Sequence, residues 1–322
     1  MRQGLSIGIP TYNRKESLIQ LLKSIEKQDF QLLDEIVIGD NNSSYDVVDL
    51  VKSSLSSEFF SKCRIIQNNV NIGGPANIKN QFLYCRSKWF WLIGDDDKVT
   101  EDSLDTILKD IATHPDCAYF KYSTKLPNGK VLEEDDVRID NLQDFIHYEK
   151  KHRPGNLVFM SNNIFNMEKL SPYLPITMSY FTEVPQNIPI LVGLDRHEVY
   201  MRFSSRAICY YIAPVGGVTW NMLQVMLAIS SIQDIPFKSL KNRELFNLLE
   251  IFKLFPFRLV CGWCVRNKNK VGNYNQLQRL YYGIYSKPFR LINYILLQLC
   301  KLEFLYRINI LSFVYKKVKH SL

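Results

Sequence analysis

Apolar residues recur along the first third of the chain in two alternating rhythms. Leu5, Ile7 and Ile9 alternate with small residues and stop at Pro10, the period-2 pattern of a short strand. Leu18, Leu21, Leu22 and Ile25 then fall at helical spacing. Glu35 to Asp40 (EIVIGD) and Cys63 to Asn68 (CRIIQN) read as two further strands, each ending in polar residues. Gly73-Gly74-Pro75 opens a helix, with Pro75 suited to its first position and Ile78, Phe82 and Cys85 on one face. Trp89 to Ile93 (WFWLI) is apolar throughout, as a strand covered on both sides is. Thr100 is placed to cap a helix whose inner face carries Leu104, Ile107, Leu108 and Ile111.

Strand–helix alternation of this kind predicts a mainly parallel, doubly wound sheet flanked by helices. Ligands of such sheets bind beyond the carboxyl ends of the strands. The polar residues gather at those ends: Thr11-Tyr12-Asn13, Asp40-Asn41-Asn42, Asn71 and Asp95-Asp96-Asp97. Four strand ends therefore aim polar groups at one crevice.

The middle of the chain is less regular. Cys117 to Ser123 and Val158 to Phe165 read as strands, and the Pro-Asn-Gly between Lys125 and Lys130 as a hairpin turn. Pro175 to Pro189, polar and punctuated by proline, reads as a loop facing substrate. From about 221 the pattern becomes helical and apolar. The expected division is a catalytic domain over 1–220, with 1–110 for the donor and 111–220 for the acceptor side, followed by a helical extension over 221–322. Ser286 to Leu322 carries seven Lys or Arg against one acid, Glu303. Such a segment suits an anionic membrane surface, and equally a helical cap with a solvated basic face.

Charge changes the picture little. The net charge of +8 suits phosphorylated substrates, anionic lipid or nucleic acid without choosing among them. The basic excess collects in the tail rather than on a nucleic-acid module, so no nucleic-acid partner is expected. Seven scattered cysteines do not form a disulfide framework, and Cys261 and Cys264 lack a second ligand pair for zinc. The first residues enter a strand directly, so no leader is expected, and no run reaches the length of a membrane span.

Asp95-Asp96-Asp97 carries the clearest chemistry. Three adjacent acids after a buried strand repel one another unless a cation neutralises them. Mg²⁺ or Mn²⁺ prefers a few carboxylates and leaves positions open for phosphate oxygens. The plain alternative is an acidic loop before the next helix.

Four segments together resemble the family 2 glycosyltransferases of GT-A (Rossmann-like) fold, and within them the bacterial O-antigen and capsule enzymes of the abequosyl (dideoxyhexosyl) transferase type. They are Leu5 to Arg14 (LSIGIPTYNR), Glu35 to Ser43 (EIVIGDNNS), Asn71 to Asn77 (NIGGPAN) and Trp91 to Asp97 (WLIGDDD), in the family's order and at comparable intervals. The resemblance covers about the first 110 residues. It implies that Pro10, Thr11, Tyr12 and Asn13 lie against the base and ribose of a nucleotide. It implies that Asp40 accepts a hydrogen bond from the base, and that Asn71, Gly73 and Asn77 close over the nucleotide. Asp95 and Asp97 then correspond to the DxD pair, with Asp96 a third candidate ligand for Mg²⁺ or Mn²⁺. Gly39 and Gly94 stand where many relatives carry an acid, which leaves the ligating acid open.

The reaction so implied is inverting transfer of a sugar from a nucleotide-diphosphate donor to a hydroxyl of a lipid-linked oligosaccharide, at the inner face of the cytoplasmic membrane. A general base is needed on the acceptor side. Glu183 and Asp195 compete for that role, and Glu183 is favoured. His197, Arg196, Arg202 and Arg206 are candidates for an acceptor phosphate, with ordinary surface roles as the alternative. A nucleotidyltransferase of related fold is a second reading, although Thr11-Tyr12-Asn13 lacks the glycine-rich basic loop that it requires.

Overall fold

A computed structural model describes residues 2–126, 128–132, 135–152, 159–180, 184–210, 231–241 and 248. The tail from 286, Cys261, Cys264 and Glu183 lie outside these residues.

The four strands and the helices expected between them are found, and two short helices that the patterning did not announce, over 47–54 and 57–61, join them. β1 (Arg2–Thr11), β2 (Leu33–Asp40), β3 (Cys63–Gln67) and β4 (Ser87–Leu92) alternate with α1 (Lys15–Glu26), α2 (Val47–Ser54), α3 (Ser57–Ser61) and α4 (Gly74–Tyr84). β1 pairs in parallel with β2 on one side and β4 on the other, and β2 pairs in parallel with β3. Pro10 does not stop β1. It pairs across from Gly39, and the strand runs on to Thr11 opposite Asp40.

After the short β5 (Lys98–Val99) and α5 (Ser103–Thr113) come β6 (Tyr119–Lys125), β7 (Val131–Leu132), β8 (Val137–Ile139) and α6 (Leu142–His152). β9 (Asn163–Asn166), α7 (Met167–Leu170), α8 (Leu174–Ser179), α9 (Ile188–Asp195) and β10 (Met201–Tyr210) complete the described elements. Among the described residues one sheet runs β3-β2-β1-β4-β9-β6-β10-β5, with β7 beside β6 and β8 beside β10. β9 lies antiparallel between β4 and β6, so the sheet is mixed, as expected.

Two cores cover the sheet. Leu5, Ile7, Ile9, Ile36, Ile38, Trp89 and Trp91 point to the side of α1, α2 and α5. Phe82, Phe90, Leu92 and Phe165 point to the side of α4, α6 and α9. The small residues that alternate along β1 have a cause here. A Cβ on Gly8 would come within 2.4 Å of the Phe90 ring and 3.4 Å of Gln81 Cβ, so close packing under α4 requires glycine. Gly39 on β2 is similar: a Cβ there would lie 1.9 Å from Gln81 Nε2.

Three local expectations are corrected. Thr100 does not cap α5, which starts at Ser103. Its hydroxyl donates to the Ala207 carbonyl, and the helix start is held instead by Gln28, whose Oε1 accepts from Leu104 N–H and Ser103 Oγ, both at 3.0 Å. Of the described residues 159–165, only Asn163 onward is strand, because Ser161 and Asn162 form a turn. The described parts of 175–189, residues 175–180 and 184–189, are mostly helical turns rather than open loop, and Val184 to Pro189 are buried.

Candidate functional site

Because β1, β2 and β4 are parallel, their carboxyl ends share one edge. The chain leaves β1 to one side for β2 and β3, then returns to the other side for β4. The gap between β1 and β4 is therefore the switch point at which doubly wound sheets bind ligands. Thr11 ends β1 there and Asp95 follows β4. They meet directly: Thr11 Oγ1 donates to Asp95 Oδ2 at 2.7 Å.

Asp95 is buried, and its other oxygen, Oδ1, accepts from Arg14 at 3.0 Å. The same guanidinium nitrogen lies 2.5 Å from Asp96 Oδ2. Asp97 turns the other way, with its N–H on the Gly94 carbonyl and Oδ2 accepting from Ser161 Oγ. Ser161 Oγ also accepts from Gly94 N–H at 2.8 Å, and its carbonyl accepts from the Trp91 indole N–H at 2.7 Å. A Cβ on Gly94 would lie 2.8 Å from Asp97 Oδ2, so glycine lets the third acid fold back.

Burial pushes the Asp95 carboxyl up to about 6, against the pull of Arg14 and Thr11. Asp97 is pushed up to about 7, mainly by burial, with its Ser161 bond opposing and its neighbouring acids adding. Arg14 pairs with Asp95 and Asp96 but not with Asp97, so one guanidinium balances at most part of the ionised triplet, and this fits a hard divalent cation. The three carboxylates do not converge. Among the described residues no three His, Cys, Asp or Glu side chains form a ready metal cage.

The second wall is at the end of β2. Asp40 is fully buried; Oδ1 accepts from Ser43 N–H at 3.0 Å, while Oδ2 has no partner among the described residues. A buried carboxylate oxygen left open in this way suits an N–H group of a ligand. Asn13 takes a left-handed conformation (φ 54°), and its Oδ1 accepts from Ser44 N–H at 2.8 Å, tying the β1 end to the β2 end. Tyr12 is exposed and Pro10 half-buried.

The third wall is a mesh of asparagines. Asn41 Oδ1 accepts from Ile72 N–H at 2.9 Å and from Asn68 at 3.2 Å, while Asn41 Nδ2 donates to Asn71 Oδ1 at 2.8 Å. Asn71 Oδ1 also accepts from Gly73 N–H at 2.8 Å. Gly73 sits at φ 87° with open space around it, so backbone conformation is what demands glycine. Asn77 is buried and donates to the Gly39 carbonyl at 2.8 Å.

The structure thus gathers Thr11, Asp40, Asn71, Gly73, Asn77 and the acid triplet around one edge. It does not bring Asp195 there as a free acid. Its oxygens accept from Lys238 N–H (2.6 Å), Ser239 N–H (3.0 Å) and Ser239 Oγ (2.7 Å). Three of the other candidates take part in local packing or pairing. Arg206 pairs with Asp110, and Arg196 lies 5.5 Å over the Tyr173 ring. His197 adopts φ 56° and closes α9, its N–H on Leu194 and the next N–H on Gly193. Sequence reading gave no individual role to Arg14, Ser161 or Asn68, and counted Asn41 only among the polar residues at the strand ends. Arg14 and Asn41 lie inside the quoted segments, whereas Ser161 shows only as a polar residue in an apolar run.

The profile of the family described as "Glycosyl transferase family 2" matches residues 6–167. The chain belongs to that family. Among its relatives, abequosyltransferase RfbV of Salmonella typhimurium is 35% identical over 104 residues, 31% of this chain and 30% of that protein. A Campylobacter jejuni GalNAc(5)-diNAcBac-PP-undecaprenol beta-1,3-glucosyltransferase is 33% identical over 106 residues, 33% of each chain. The matched part therefore spans about a third of these curated relatives.

In fold, the family 2 chain is similar to S. aureus TarS 1-349 in complex with UDP-GlcNAc, with a TM-score of 0.69 at 15% identity, covering 98% of this chain and 92% of that one. It is also similar to the mannosyltransferase PcManGT of Pyrobaculum calidifontis in complex with GDP-Man and Mn2+, with a TM-score of 0.53 at 13% identity, covering 91% and 79%. These likenesses are of fold, and they bear out the expected GT-A architecture.

Proposed function

We propose that this family 2 chain transfers a sugar from a nucleotide-diphosphate donor to a hydroxyl of a lipid-linked oligosaccharide, in O-antigen or capsule synthesis. The observation that carries the donor half is the pairing of two incomplete sites at one strand edge. Asp40 presents an unpartnered buried oxygen, and the three acids of the triplet share a single ion-pair partner, Arg14, which reaches only Asp95 and Asp96. A nucleobase N–H completes the first. A diphosphate with a divalent cation completes the second.

Asp95, Asp96 and Asp97 are the candidate acids for Mg²⁺ or Mn²⁺, together with donor phosphate oxygens. Bound there, the cation would neutralise the charge of the departing diphosphate. Thr11 holds Asp95, Ser161 holds Asp97, and the 71–77 loop, stiffened by Asn41, covers the nucleotide. The fold relatives were solved with UDP-GlcNAc and with GDP-Man and Mn2+, which supports the donor class. The undecaprenol diphosphate in the name of the C. jejuni relative supports a lipid-linked acceptor. No described helix is long and apolar enough to cross a membrane. Contact with the inner face of the cytoplasmic membrane would fall to the basic tail, outside the described residues. Glu183 also lies outside them and stays the candidate base for an inverting reaction.

Mn²⁺-stimulated hydrolysis of a panel of nucleotide sugars by the full chain tests this reading. Asp95→Ala combined with Asp97→Ala should abolish turnover. Undiminished turnover in that variant would refute the metal role.

A further inference from the structure

Arg14 sits where a metal would be expected to act. One of its guanidinium nitrogens lies 3.0 Å from Asp95 Oδ1 and 2.5 Å from Asp96 Oδ2. The second oxygen of Asp95 already accepts from the Thr11 hydroxyl at 2.7 Å. Both oxygens of the buried acid are therefore engaged, and a cation ligated by Asp95 must displace or share one of them. The two donors are not equally able to leave. Thr11 is 2% exposed within a strand, whereas the Arg14 side chain is 36% exposed. The Arg14 backbone is held, because its carbonyl accepts from Leu18 N–H at the start of α1. Only its side chain is free to swing. Asp97 is bound by Ser161 and takes no part in the exchange.

We infer that Arg14 is an internal counter-cation that competes with the divalent metal for Asp95 and Asp96, and that a nucleotide diphosphate lifts this competition by drawing the guanidinium onto its phosphates. The inference rests on the metal-dependent reading above and adds a control to it. A guanidinium stays charged at every working pH and forms forked hydrogen bonds to carboxylate or phosphate alike. The same group therefore neutralises the acids while the site is empty and binds donor once it arrives. Metal binding is weak alone and tight with nucleotide. Asp95 and Asp96 keep a counter-charge in both states, so burial never leaves Asp95 bare.

The test is Mn²⁺ binding to the full chain, read from the loss of the free-ion EPR signal. Wild type and Arg14→Gln are compared without nucleotide and with UDP, GDP, CDP and dTDP in turn. Arg14→Met serves as a second variant of similar length, and melting curves confirm that each is folded. Without nucleotide, both variants should bind Mn²⁺ at least about ten-fold more tightly than wild type, since a charge some 3 Å away has been removed. With the diphosphate that wild type accepts, that gain should vanish and the nucleotide itself should bind about ten-fold more weakly. Equal or weaker Mn²⁺ binding by the variants without nucleotide overturns the inference. So does a gain that persists undiminished with nucleotide, which marks a general field rather than an exchange of partners. If wild type binds Mn²⁺ with none of the four diphosphates, the metal-dependent reading fails, and the inference with it. If wild type binds but the variants show no gain, only the role of Arg14 fails.

Discussion

Asp40 holds one oxygen on Ser43 N–H and leaves the other open in a buried place. Asp40→Asn keeps the shape. With its carbonyl on Ser43, the amide turns N–H groups toward the ligand and meets a base N–H donor to donor. Nucleotide affinity should fall about 10- to 100-fold, corresponding to ~1–3 kcal/mol for an unmet buried polar group, with the melting temperature held. Calorimetric titration with nucleotide diphosphates checks this, and unchanged affinity would remove Asp40 from the base site. Asp95 and Asp97 make a pH prediction. Their carboxyls are raised to about 6 and about 7, so the folded chain holds these protons more tightly than the unfolded one. Their contribution to stability is complete below the ordinary carboxylate range, near pH 4. It is lost as pH rises through about 6 to 7. In EDTA, the melting temperature of wild type should fall relative to Asp95→Asn/Asp97→Asn across that window. Mn²⁺ with nucleotide should remove the difference. Parallel curves in EDTA would contradict the assignment.

At the scale of elements, the end of α1 and the start of α5 are joined by one side chain. Gln28 Oε1 accepts from Leu104 N–H and Ser103 Oγ, and Gln28 Nε2 donates to the Thr100 carbonyl at 3.1 Å. Gln28→Ala should cost about 1–2 kcal/mol in urea unfolding, the scale of a lost helix cap, and Gln28→Glu less because the acceptor remains. An unchanged midpoint would show that water replaces the cap. β1 to β4 and the helices α1, α4 and α5 were legible because each has a clear apolar pattern over enough residues, whereas the short α2, α3 and β5 were not. Thr100 was misassigned as the cap because its hydroxyl satisfies Ala207 on a distant strand, and no local pattern reports that. The segment 175–189 was misread for a related reason. Proline and polar residues mark a loop locally, but here the prolines open helical turns, and tertiary packing buries those from Val184 to Pro189.

The whole molecule decides the case of Asp195. Its carboxylate binds the backbone of residues 238 and 239 and the Ser239 hydroxyl, tying α9 to a segment more than 40 positions later. Asp195→Ala should lower stability by about 2–3 kcal/mol and leave nucleotide affinity within about two-fold. Unfolding curves beside nucleotide titrations separate this from catalysis. Full stability with turnover abolished would restore Asp195 as the base.

What the sequence determined by itself was the half of the molecule in which neighbours along the chain are neighbours in space. The period-2 and helical rhythms set β1 to β4 with α1, α4 and α5, and the rule that ligands meet the carboxyl ends of parallel strands placed Thr11, Asp40 and Asp95 on one edge. Tertiary structure alone decided which groups there are already occupied. Arg14 reaches across to Asp95 and Asp96, Ser161 arrives from beyond β6 to hold Asp97, and Asp195 is engaged elsewhere. Hydrogen bonds and ion pairs are made by distance in space. A residue more than 60 positions away along the chain leaves no periodic trace of the partner it will find.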